Sequence, residues 1–415
     1  MDGNDRRILG VTTIGHGWVH ATELAIPIFI PLWMAEFGAG AAAMGVVVMI
    51  GYALYGIGAV PSGVASDKWG SMWLIAASLL GMGIAFILLG FVNGLWGLTL
   101  ALVLWGLTAS IYHPAGLRLI STGIRERGTA FGYHGIAGNA GIAIGPLVAV
   151  LLLIPFEWRT VAMALAIPAL AGGILAMILR VDELAALSSD DSAAIVDRDR
   201  PTLSEFIRDS RVLFTGGFVI VMPMVVLEGF YYRGVLTFLP EVLAGYPALD
   251  AATGGELLSA PAQIVFVGIL VVGMVGQYVG GRLSDSRSPE RVVAVGFALL
   301  AMLSVLFVPA ATMGLGALLL VSGALGFVLF GVQPLNQTII AEYSGTAVRG
   351  MSYGYTFLGI FGVGALGATF AGVTLAYTGA QTLFVLLGLV PILAGVLAVG
   401  LAMYGDRITT VILQA

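Results

Sequence analysis

His16, His20 and Glu23 stand at i, i+4 and i+7 of one apolar run, so a helix there carries all three on one face. At about 1.5 Å per residue from a helix start near Ile8, His20 and Glu23 sit roughly 18–22 Å along the axis. That is close to the middle of a hydrocarbon layer about 30 Å thick. A carboxylate at that depth can be neutralised by a proton at one stage of a cycle and by a cation at another. Glu23 is therefore the leading candidate for a proton carrier, with His20 beside it, and His16 and His20 are candidate ligand contacts. The three side chains could also ligate zinc, manganese or iron, with His113 or Glu228 contributing from other helices. The spacing specifies no metal, however, and neither a resident metal nor a cofactor is expected. Hydrogen bonding between helices, or an interfacial position for His16, is the structural alternative.

A second group lies downstream. Glu228 is followed by Tyr231, Tyr232 and Arg233. Glu228, Tyr231 and Tyr232 share a face, whereas Arg233 is about 140° around at 100° per residue. Arg233 stays charged at any accessible pH and needs an anion, which is Glu23, another carboxylate or the substrate itself. Glu228 is a further candidate for proton coupling, and Tyr231, Tyr232 and Arg233 for substrate binding. Gln333, Asn336 and Gln337 surround Pro334, and His113 precedes Pro114. Proline bends a helix and amides both donate and accept, so these residues are expected to form opposing walls of a central site. His134 and Asn139 are possible helpers.

The elements that must position these groups are transmembrane helices. Hydrophobic residues make up 59% of the 415 and charged ones 10%, against about 25% charged in soluble domains, and mean hydropathy is +1.01. Apolar runs long enough to span a bilayer fall near 9–35, 43–65, 72–92, 95–121, 129–153 and 159–180. Six more fall near 211–241, 258–282, 291–310, 313–340, 350–376 and 380–404. The first run is long and polar at its centre, so it reads as a retained span and not a cleaved signal. With the N-terminus in the cytoplasm, every one of the 18 basic residues except Arg159 and Arg233 lies at a cytoplasmic loop or end, which predicts that both termini are cytoplasmic. Cysteine is absent, excluding disulfides and thiol chemistry. The acidic loop argues against nucleic-acid binding, and the chain lacks a phosphate-binding glycine loop ending in Lys-Ser/Thr, which argues against an ATP-driven pump. The 59 glycines read as close helix packing and mobile joints.

The polar stretch 181–208 divides six spans from six, predicting a first half at 1–180 and a second at 209–415. The halves repeat each other in order. Phe29-Ile30-Pro31 matches Phe238-Leu239-Pro240, and Gly63-Val64-Ala65-Ser66-Asp67 matches Gly281-Arg282-Leu283-Ser284-Asp285. His113-Pro114 matches Gln333-Pro334, and Arg127-Gly128 with Gly132 matches Arg349-Gly350 with Gly354. Four ordered matches indicate duplicated halves, an arrangement common in secondary transporters.

With Gly63-Val64-Ala65-Ser66-Asp67-Lys68-Trp69-Gly70 as its loop 2–3 motif, the chain resembles the major facilitator superfamily over essentially its whole length. The resemblance implies an all-α integral membrane fold of twelve transmembrane helices in two pseudo-symmetric six-helix halves. It implies gating roles for Asp67 and Asp285 at cytoplasmic helix ends. The sequence departs from the family where Ser71 and Met72 follow Gly70, a place where basic residues usually stand. Tyr112-His113-Pro114-Ala115-Gly116 and the run from Gly138 to Pro146 resemble the fosmidomycin-resistance branch, which contains drug exporters. Gly141, Gly145 and Pro146 resemble the span-five antiporter motif, implying close packing and a bend that serve gating. The basic residue many family antiporters carry midway along span four is missing, so proton coupling must use other groups.

The expected function is secondary transport by alternating access, with proton-coupled efflux of a small amphipathic or anionic compound. The alternatives are uptake of an organic anion or divalent metal, and a non-transporting membrane sensor; no enzyme activity is expected. The expected partners are a small-molecule substrate, protons and the lipid bilayer, for a monomer in the plasma membrane.

Overall fold

The structure is a computed structural model, described here for residues 1–187, 203–214, 217–249, 261–344 and 349–413. Helix is the only regular structure among the described residues. Twelve helical segments are long and apolar enough to cross a membrane: Gly3–Phe37, Ala41–Gly63, Ser71–Leu89, Leu95–Gly123, Arg127–Leu153, Trp158–Ile178, Phe218–Ala244, Pro261–Ser286, Pro289–Thr312, Leu315–Glu342, Met351–Thr378 and Ala380–Tyr404. They are called spans one to twelve, and each overlaps a run expected from the sequence. Backbone groups in hydrocarbon must be paired within the segment, which is why every apolar run here is helical. The part of the linker beyond residue 187, up to residue 202, lies outside the described residues.

By its contacts the chain divides into two units. The first comprises Met1–Leu32 and Ile50–Pro201, and the second comprises Trp33–Met49 and Thr202–Ala415. Within the first, span five crosses span one at small residues. A Cβ added to Gly141 would stand 1.9 Å from Gly17 O, and one on Gly145 2.6 Å from Ala21 O. Spans two and four cross likewise, since a Cβ on Gly106 would stand 2.1 Å from Gly51 O. Small residues are what allow such backbone approach between membrane helices.

The second unit repeats these crossings in matched register. Pro31 matches Pro240, and the same offset takes Ala21 to Phe230; a Cβ on Gly367 of span eleven would stand 2.0 Å from Phe230 O of span seven. Similarly Gly326 of span ten lies against Ile269 O of span eight, 2.6 Å from an added Cβ, as Gly106 lies against Gly51. Span eleven contains a π-helical turn, Leu358–Val363, in which Gly364 N donates to Gly359 O at 2.8 Å. This turn brings Ile360 O to 2.4 Å from where a Gly229 Cβ would be. Also within the second unit, Thr369 Oγ1 donates to Gly45 O at 3.3 Å.

Candidate functional site

Within the first unit, spans one, four and five bring all four histidines of the chain into one cluster. The His16 ring stacks on His134 with centroids 3.8 Å apart and planes within 9°. His16 lies 4.9 Å from His20 and 5.2 Å from His113, and His20 lies 5.3 Å from His113, all edge to face. Glycine makes room for this: a Cβ on Gly138 would meet the His16 ring at 2.4 Å.

Hydrogen bonds fix the ring orientations. His16 Nδ1 donates to the His134 carbonyl at 2.7 Å. His20 Nδ1 meets Glu23 Oε2 at 2.8 Å, and Glu23 is 1% exposed. His113 Nδ1 meets the Tyr55 hydroxyl at 3.2 Å. The Tyr112 hydroxyl donates to the Thr12 carbonyl, so its 3.1 Å contact with His134 must be one in which Nε2–H donates to it. Behind the cluster, Tyr52 OH donates to Glu23 O at 3.3 Å and Trp105 Nε1 to Thr22 Oγ1 at 3.0 Å. Nothing in the sequence marks Tyr55 or Tyr112 as a site contact. A tyrosine in an apolar helix reads as packing until its partner on another span is known.

The second unit collects a different chemistry. Glu228 of span seven is buried at 7% exposure, and the amide of buried Asn336 on span ten lies beside its carboxyl. The geometry leaves Glu228 Oε2 and both polar side-chain atoms of Asn336 without hydrogen-bond partners. Arg233 is 2% exposed, its guanidinium carbon 5.5 Å from the Tyr232 ring and 5.6 Å from Phe361 on the π-helical turn. Both distances are within cation–π range. Tyr231 turns to span nine instead, where its hydroxyl lies 2.6 Å from Ser304 Oγ. Gln333 Oε1 accepts from Gln277 at 3.4 Å, and Gln337 is exposed. So Glu228 and Asn336 come together and Tyr232 and Arg233 form a pair, whereas Tyr231 and Gln337 belong to neither.

Of the residues expected to gate, Gly141, Gly145 and Pro146 are buried on span five, and Asp285 is exposed near the end of span eight. Asp67 falls on the helix Ala59–Trp69, with its side chain outside the described residues. Nearby, where the sequence departs from the family at Ser71 and Met72, the first unit supplies a different device. Glu183 accepts from Ser71 N at 2.7 Å and Met72 N at 3.0 Å, capping span three. Arg118 Nη1 stands 3.6 Å from Glu183 and donates to Ser71 Oγ at 3.1 Å. A carboxylate is favourable at a helix N-terminus because the exposed N–H groups and the helix dipole both attract it. Asn4 ties the same strip down by exchanging hydrogen bonds with the backbone of Asp182, at 2.8 and 3.0 Å.

Comparison with known proteins agrees with this architecture. The chain is 25% identical to the Membrane sensor protein UhpC of Escherichia coli K12, over 89% of this chain and 85% of that one. It is 26% identical to the Multidrug resistance protein MdtG of Yersinia enterocolitica, over 85% and 82%. A crystal structure of the peptide transporter POT in complex with sulfate superposes with a TM-score of 0.74 at 14% identity, covering 97% of this chain and 95% of that one. That likeness shows the fold alone. The sequence profile of the Major Facilitator Superfamily matches residues 14–368, and with twelve membrane-spanning helices in place the chain belongs to that superfamily of membrane transporters.

Proposed function

We propose that the chain is a secondary active transporter working by alternating access, exporting a small amphipathic or anionic compound in exchange for protons. The observation that carries this reading is the polar pair Glu228 and Asn336, a carboxyl and an amide side by side and buried among apolar spans. Polar groups are costly in such surroundings and mark ligand or ion paths. Glu228 is the proton carrier in this reading, because Glu23 is already engaged in orienting His20. Within the second unit Arg233 selects for an anion, with Tyr232 and Gln333 as further contacts; within the first, the histidine cluster is a separate set of ligand contacts. The resemblance to the fosmidomycin-resistance branch and the multidrug resistance protein among the relatives support an exporter of drug-like compounds. The halves expected at 1–180 and 209–415 alternate between states in this reading, with Asp67, Asp285, Gly141, Gly145 and Pro146 as the gating residues. Both termini are cytoplasmic in this reading, which the distribution of basic residues supports, and the protein is one of the plasma membrane.

The test uses purified protein in liposomes, measuring counterflow and flux of a panel of lipophilic anions, zwitterions and cations with and without an imposed proton gradient. The expected result is gradient-driven flux of anions with proton movement in the opposite sense. Flux indifferent to the gradient removes the coupling. A second reading is a ligand sensor, favoured by the similarity to a membrane sensor protein. It predicts ligand binding without counterflow.

A further inference from the structure

We propose that His16, His20 and His113 form a binding site for a divalent transition-metal ion of the imidazole-preferring class, such as Zn²⁺, Co²⁺ or Ni²⁺. Each offers one nitrogen, and the three nitrogens lie within 4.8 Å of one another. A tetrahedral metal with bonds of about 2.0–2.1 Å holds its nitrogens about 3.4 Å apart, so the three must draw together by up to about 1.4 Å to share one ion. The outer contacts suit that task. His16 Nδ1 is committed to a backbone carbonyl and His20 Nδ1 to a carboxylate, which makes Nε2 the lone-pair nitrogen of each. Carboxylate–histidine–metal and carbonyl–histidine–metal arrangements orient ligands in this way and raise their basicity. His113 receives the corresponding support from the Tyr55 hydroxyl.

The donor set decides the ion. Three imidazoles suit zinc, cobalt, nickel or copper, whereas magnesium and calcium demand oxygen. Three protein ligands also leave a coordination position open, as in exchangeable sites and unlike closed four-ligand structural ones, so an anionic group can bind there. The fourth histidine is not part of the set: His134 gives its backbone carbonyl to His16, and its Nε2 is engaged with Tyr112. The second half cannot repeat the site, because the positions matching His20 and His113 are Gly229 and Gln333. Metal binding by these three imidazoles is independent of the direction or coupling of transport.

The experiment titrates Co²⁺ into full-length protein carrying no histidine tag, purified in detergent at neutral pH, and follows the metal's visible absorption and its displacement by Zn²⁺. One equivalent should bind with the intense bands of four- or five-coordinate cobalt, displaced by Zn²⁺ and not by Mg²⁺. His20→Ala and His113→Ala should each abolish the bands, Glu23→Gln should weaken binding about 10–100-fold, and His134→Ala should leave binding intact. A variant that fails a thermal-unfolding check is replaced by the glutamine version at that position. A pale octahedral cobalt spectrum, Zn²⁺ affinity no better than that of a folded protein lacking all three histidines, or binding that survives loss of both His20 and His113 overturns the proposal. Because the readout is equilibrium binding, its failure is distinct from a failure of proton-coupled flux in liposomes.

Discussion

Around His20 the polar groups of the first unit answer one another: imidazole to carboxylate, imidazole to carbonyl, phenol to imidazole. Around Glu228 the second unit leaves a carboxylate oxygen and a whole amide without partners. The supporting backbones are nevertheless alike, with Gly145 against Ala21 matched by Gly367 against Phe230, and Gly106 against Gly51 matched by Gly326 against Ile269. Duplication preserved the crossings because they are set by backbone approach, which tolerates only small residues. It did not preserve the polar side chains, since His20, Glu23, His113 and His134 correspond to Gly229, Tyr232, Gln333 and Thr356. One skeleton therefore carries a hydrogen-bonded histidine cluster in one half and a buried carboxyl–amide pair in the other.

The sharpest way to break this comparison is Glu228→Gln, which keeps shape and loses titration. Gradient-driven flux should fall to background while counterflow and the thermal midpoint persist; flux at the unmodified protein's level would remove Glu228 from the mechanism. Next, Gly145→Leu and Gly367→Leu should each destabilise by about 3 kcal/mol or more, because the side chain would have to occupy space held by backbone atoms. Thermal unfolding in detergent reads this out, and a large effect at one site with none at the other would show that the two crossings are not equivalent. Smaller is the contrast between Tyr112→Phe, expected to cost about 1–3 kcal/mol by leaving the His134 Nε2–H without its acceptor, and Asn336→Leu, expected to be near neutral for stability. If Asn336→Leu proves the more destabilising, that amide is not waiting for a ligand. Smallest is Glu183→Ala, which should lower stability by about 0.5–2 kcal/mol through the lost cap on span three. An unchanged midpoint would deny the cap any part in holding that helix end.

Much of the fold was legible without coordinates. The twelve spans follow from hydropathy, because lipid forces each long apolar run into a helix that closes its own hydrogen bonds. The duplication follows from ordered motif matches such as His113-Pro114 with Gln333-Pro334. The face shared by His16, His20 and Glu23 follows from helical periodicity alone.

Relations between spans were not legible, because periodicity says which residues share a face and nothing about which face they meet. Nothing in the sequence tied Tyr55 to His113, or Tyr112 to His134, across separate helices. Tyr231 and Tyr232 are neighbours along the chain, yet packing turned one to Ser304 and left the other beside Arg233. Nor did the motif around Gly70 reveal that Glu183, over a hundred residues away, would cap span three. The sequence by itself determined the membrane-spanning segments, the repeated halves and the identity of the buried polar residues, because local composition and period set these. The histidine cluster, the stranded Glu228–Asn336 pair and the Glu183 cap were decided only by tertiary structure, because each depends on distances between helices that glycine-lined crossings fix in space.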